Sequence, residues 1–149
     1  MPTRKPHFGL VAMCDAVYQD EKSKKAVLAG LFLGDVLVES MPASVGVAFF
    51  LEVIGLEHGH HDIDVRFYVD KEAIGGAKVE FEASSGDEPG ALVMPPIRIR
   101  VQKELRLRMR ASIDGGKETT ILDRAIRLKA TEPTLFAQPF EQSPTSAPA

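Results

Sequence analysis

From His61 onward the chain changes sides at every residue. Ile63, Val65, Phe67 and Val69 fall on one side of an extended backbone, and Asp62, Asp64, Arg66 and Tyr68 on the other. Val79, Phe81 and Ala83 alternate in the same way with Lys78, Glu80 and Glu82. Leu105, Leu107, Met109, Ala111 and Ile113 alternate with Arg106, Arg108, Arg110 and Ser112. A period of two gives a strand one buried face and one wet face. Repeated along the chain, it predicts an all-β protein: a two-sheet antiparallel β-sandwich of about eight or nine strands, spanning about residues 6–130.

The earlier segments follow a different rule. His7 to Tyr18 carries Phe8, Leu10 and Ala12 on one face and Val11 and Met13 on the other. Lys25 to Leu33 sets Leu28 and Phe32 against Val27, Leu31 and Leu33, and Val45 to Ile54 sets Val47, Phe49, Leu51 and Val53 against Ala48, Phe50 and Ile54. A strand that is apolar on both faces needs cover on both, and a two-layer sandwich covers only one. The outer cover is expected from another copy of the chain, from a partner protein, or from the chain's own Val36 to Met41 segment and Phe136.

Turn residues divide the rest. Gln19 to Lys24 closes an opening hairpin, Met41-Pro42 marks a bend, Ser84 to Gly90 is a surface loop, and Asp114-Gly115-Gly116 is a hairpin turn. Pro95-Pro96 confines its segment to a sheet edge or a crossing between sheets, because proline cannot donate to a ladder. From about Thr131 the chain becomes rich in Pro, Ser and Thr, with Leu135, Phe136 and Phe140 its only large apolar residues. Residues 131–149 are expected to be a flexible tail.

Composition narrows the function classes. The 149 residues fit one domain, and a net charge of −3 argues against a dedicated nucleic-acid binder. A single Cys excludes an intrachain disulfide and suits a reducing compartment. No apolar run is long enough to span a bilayer. The expectation is a cytoplasmic protein with no membrane or nucleic-acid partner.

Few residues point to chemistry. His58, His60, His61 and Asp62, followed by Asp64, gather imidazoles and carboxylates within a few positions, a donor set that suits zinc or another transition metal. The same residues also describe a polar loop entering a strand. Arg98, Arg100, Arg106, Arg108, Arg110, Arg124, Arg127 and Lys129 offer a basic face, but the acidic residues beside them favour cross-strand charge pairing, and no aromatic residue is interleaved for base stacking. Cys14-Asp15 reads as a small buried residue beside a polar one rather than a nucleophile, because no histidine lies near in sequence. No serine has a nucleophile-elbow context, and Gly75-Gly76 and Gly115-Gly116 sit at turns rather than at phosphate loops.

The segments Met13-Cys14-Asp15-Ala16-Val17, Lys25 to Phe32, Met41-Pro42-Ala43 and Phe49 to Val53 together resemble a bacterial family of small all-β proteins whose activity is not established. The resemblance covers about residues 7–128 and implies a sandwich fold, with no catalytic residue to carry over. The expectation is therefore a non-catalytic protein-interaction or assembly module with no cofactor, acting with a protein partner or as a homo-oligomer through its apolar first sheet, its edge strands or its tail. The alternative is a ligand- or metal-binding sandwich that uses His58, His60, His61 and Asp62. A third reading is an enzyme whose site assembles only in three dimensions.

Overall fold

The computed structural model describes residues 5–23, 25–84 and 89–130. The expected tail at 131–149, with Phe136 and Phe140, lies outside them. The described residues are nine strands in two sheets, with no helix. β1 (His7–Gln19), β2 (Ala26–Leu31), β4 (Ala43–Ile54) and β7 (Gly90–Val101) form a four-stranded sheet in the order β2-β1-β4-β7. β3 (Val36–Val38), β5 (Gly59–Val69), β6 (Glu72–Ala83), β8 (Leu105–Ile113) and β9 (Thr119–Leu128) form a five-stranded sheet in the order β3-β9-β8-β5-β6. All pairings are antiparallel except that of β3 with β9, which is parallel.

The inner faces meet in one apolar core. Val47, Phe49, Leu51 and Val53 of β4 pack against Ile63, Val65 and Phe67 of β5 and Leu107 and Met109 of β8, all almost fully buried. Phe49 and Phe67 meet across the layers with ring centroids 5.0 Å apart. These are the residues that a period of two places inward, and no polar or charged residue is buried among those described.

Three local features depart from simple alternation. In β1 the register with β4 slips between Phe8 and Val11, so that Phe8 faces Val53 and Val11 faces Leu51. Both therefore point inward and pack on the core, whereas strict alternation groups Phe8 with the outward Leu10 and Ala12. A β-bulge inserts one extra residue and has this effect. Second, β6 is continuous from Glu72, where the turn at Asp70 and the two glycines suggest separate pieces. Third, β7 carries Pro95-Pro96 at the sheet edge, where its register with β4 also slips. An edge strand is where a missing donor costs nothing.

The segment expected to cover the first sheet does not. Val36 and Val38 are buried in the five-stranded sheet beside β9. The outer face of the four-stranded sheet is left without the cover the sequence suggested from Val36 to Met41.

Candidate functional site

Two regions carry the residues of interest, one on the outside of each sheet. The register of the four-stranded sheet aligns Cys14 with both Leu31 and Ala48, Ala12 with Phe50, and Phe50 with Val93. Tyr18 aligns with Val27, and Ala16 with Ala29. All these side chains project away from the core. Leu10, Tyr18, Val27, Leu31 and Val93 are exposed, Tyr18 and Val27 by about 60%. Cys14, Ala12 and Ala48 are buried among these larger neighbours yet are not part of the inter-sheet core. Among the described residues the result is a continuous apolar face with Glu52 near one end and Arg98 and Arg100 near the other. Glu52 sits at one end, its carboxylate 3.3 Å from the Leu10 amide that donates to it. Arg98 sits at the other, six positions along β4 at the level of Gly46, with its guanidinium donating to the Ser44 hydroxyl at 3.4 Å.

The outer face of the five-stranded sheet is polar, and most of its charges are paired. Arg106 and Arg108 lie 2.7 and 3.4 Å from the Asp123 carboxylate, and Arg110 lies 3.4 Å from Glu118. Arg127 lies 3.2 Å from Asp35. These contacts use the arginines against their own sheet, which is how a solvated β face resists edge and face association.

The histidine cluster is divided by the start of β5. His58 lies outside the strand, its Nδ1 3.0 Å from the carbonyl of Ser84. His61 projects toward the sandwich end and donates from both ring nitrogens, Nδ1 to Asp114 Oδ2 at 2.6 Å and Nε2 to the Glu57 carbonyl at 2.7 Å. Neither nitrogen is free to bind a metal while those bonds stand. The Asp114 hydrogen bond, with the Glu57 carbonyl adding to it, raises the His61 pKa above the ordinary imidazole value. For Asp114, desolvation works toward a higher pKa, but the bonds from His61 and from the Asp62 amide prevail and hold its carboxyl below the usual range. His60 and Asp62 lie on the outer face instead, with His60 Nε2 3.3 Å from Asp62 Oδ1. A third donor, Glu80 of β6, joins them there: one ligand atom from each of the three lies within 4.8 Å of the others. Glu80 is eighteen residues from Asp62 in sequence, and only the β5–β6 register, which pairs the two directly, reveals it.

Cys14 is fully buried, and its thiol pKa is pushed up, by burial first. It contacts the carbonyls of Ala16 and Ala48, and its environment is that of a structural thiol. Two clefts open where the sheets part. One of about 530 Å³ lies between β6 and β7 and brings Glu72, Arg98 and Arg100 to an otherwise apolar lining. Another of about 600 Å³ lies between the start of β1 and the β8–β9 hairpin. His7, Ser112 and Asp114 line the second, but His7 Nδ1 is turned to the Lys5 carbonyl and Asp114 is engaged by His61. Among the described residues, neither cleft holds a nucleophile hydrogen-bonded to a base.

No protein-family model and no curated protein matches the chain.

Proposed function

We propose that the chain is a non-catalytic assembly module that pairs with a second copy of itself through the outer face of the four-stranded sheet. The observation that carries this reading is the continuous apolar surface of Leu10, Tyr18, Val27, Leu31, Phe50 and Val93, with Cys14, Ala12 and Ala48 sealed beneath it. Contiguous apolar patches larger than a few hundred Å² are rare on monomers, and the largest patch on a protein is often a contact surface.

Charge placement favours a second copy as the occupant. Glu52 and Arg98 lie at opposite ends of the face. When two such faces stack about a twofold axis that runs between them, perpendicular to the strands, the Glu52 end of each copy lies over the Arg98 end of the other. An isologous contact of this kind is self-complementary. Four strands at about 4.8 Å spacing and about seven residues of each give a face of about 450 Å² in projection. That is smaller than the roughly 800 Å² per partner of a standard interface, so the dimer is expected to be concentration-dependent rather than obligate.

Sedimentation equilibrium tests the proposal. The expected result is a monomer–dimer equilibrium with a dissociation constant on the order of micromolar, abolished by Leu31→Glu and by Val93→Lys without loss of thermal stability. A monomer up to about 100 μM, well above such a constant, overturns the proposal, as does a dimer that both variants leave intact.

A further inference from the structure

Like charges face one another across the five-stranded sheet at Arg66 and Arg110, and again, as two carboxylates, near the start of β5. Asp62 and Glu80 are direct cross-strand partners, and two carboxylates so placed repel one another. His60 and Glu82 form the next pair toward the strand ends. The neighbouring cations are engaged one step the other way: Lys78 is the partner of Asp64, and Arg66 lies 3.8 Å from Asp64. This end of the face therefore concentrates negative charge around one imidazole.

The donor atoms converge. Single ligand atoms of His60, Asp62 and Glu80 all lie within 4.8 Å of one another. His60 Nε2 stands 3.3 Å from Asp62 Oδ1, and that oxygen is shielded from solvent and has no hydrogen-bond partner among the described residues. Ligand bonds of about 2.0–2.1 Å in a tetrahedral zinc site set donor atoms about 3.3 Å apart. An orphaned carboxylate oxygen at that spacing from an imidazole nitrogen, with a second carboxylate across the strand, is the arrangement that a small divalent ion resolves.

We propose that His60, Asp62 and Glu80 form a binding site for a divalent transition-metal ion, with Zn²⁺ the preferred occupant. One imidazole nitrogen and two carboxylate oxygens suit such an ion, whereas Ca²⁺ and Mg²⁺ require six or more oxygen donors. Three protein ligands leave one tetrahedral position for water or for Glu82, the cross-strand partner of His60. All three residues sit on regular paired strands, so the backbone already holds their spacing. His61 is not part of the site, because both of its ring nitrogens serve Asp114 and Glu57, and His58 lies outside β5 with Nδ1 turned to the Ser84 carbonyl and is not among the converging donors. The site lies on the opposite sheet from the proposed dimer face, so either proposal can fail while the other stands.

Isothermal titration of the untagged, chelator-stripped full chain with Zn²⁺ tests the site, with Mg²⁺ and Ca²⁺ as controls. The expected result is one Zn²⁺ per chain and no heat from either control ion. Glu80→Gln and His60→Ala should each weaken binding by about tenfold or more, and His58→Ala by less than about twofold. These are exposed positions, and unchanged unfolding of the metal-free variants establishes that the fold survives. The absorption spectrum of the Co²⁺-loaded chain should show the intense visible bands of four-coordination. The proposal is overturned if no stoichiometric Zn²⁺ binds or if Glu80→Gln binds like the parent. A loss for His58→Ala equal to that for His60→Ala overturns it too, since the ion would then sit in the His58–His61 loop.

Discussion

Nδ1 of His61 lies 2.6 Å from Oδ2 of Asp114, a bond that joins the start of β5 to the turn between β8 and β9. The other Asp114 oxygen accepts the Asp62 amide at 2.8 Å, and the Asp114 amide donates back to the Asp62 carbonyl at 2.7 Å. With the Glu57 carbonyl accepting from Nε2, the imidazolium is the form of His61 that satisfies every partner. The groups facing the ring are Asp114 and Glu57, with His60 and Asp62 adjacent along β5.

A dependence of stability on pH follows. The folded pKa of His61 is raised by Asp114 and the Glu57 carbonyl, so its contribution is fully present below the unfolded imidazole value and is lost as pH rises through the folded one. The folded pKa of Asp114 is lowered, so its contribution is present above the unfolded carboxylate value and is lost as pH falls through the folded one. Between those limits the contribution of this pair should be constant. Thermal unfolding in chelator across this range should show both shoulders, and His61→Asn should remove the alkaline one while costing about 1 kcal/mol at its plateau, since the pair is partly exposed.

Phe49 is fully buried and stacks against Phe67 across the two layers. Phe49→Ala removes the ring from the centre of the core and should cost about 3–5 kcal/mol in urea unfolding. Val27→Ser, on the exposed outer face, should change monomer stability by less than about 0.5 kcal/mol. Equal effects from the two would mean that Phe49 is not a core residue.

Gly30 has φ of 67°, and a Cβ added there would run into the carboxylate of Asp15. Gly30→Ala should destabilise the β1–β2 hairpin by about 1–2 kcal/mol from the left-handed backbone alone. Adding Asp15→Ala should relieve the clash with the carboxylate, leaving the Asp15 Cβ at 2.9 Å and that backbone cost. Full recovery in the double variant would show that only the clash matters.

The Cys14 thiol has no solvent exposure and a raised pKa. An aromatic disulfide reagent should therefore modify it only after denaturation. The Leu31→Glu variant, which changes its neighbour in β2, should react measurably faster in the native state. Rapid labelling of the native parent chain would contradict this burial.

Much of the fold was legible in the residues because a period of two is hard to disguise. The inward sets of β5, β6 and β8 follow directly from alternation, and the apolar outer face of the first sheet follows from its two-sided strands. Phe8 was not legible, since a bulge moves a side chain without leaving a mark in hydropathy. The contact between Asp62 and Glu80 was hidden for a related reason: it depends on the β5–β6 register, which a one-residue slip would change completely. His61 was indistinguishable from His60 in sequence, and it is the turn at Asp114, far along the chain, that separates their roles.

β3 lies parallel to β9, and the Asp35 carboxylate accepts the amide of Ala125, ninety positions later. The order of arrival during synthesis is therefore built into the topology. A growing chain that has reached Asp114 has every strand of the first sheet, yet Val36 and Val38 still have no strand to pair with. Residues 119–128 supply both the outer neighbour of β8 and the seat for β3, so a truncation just before them should expose two separate hydrophobic edges at once.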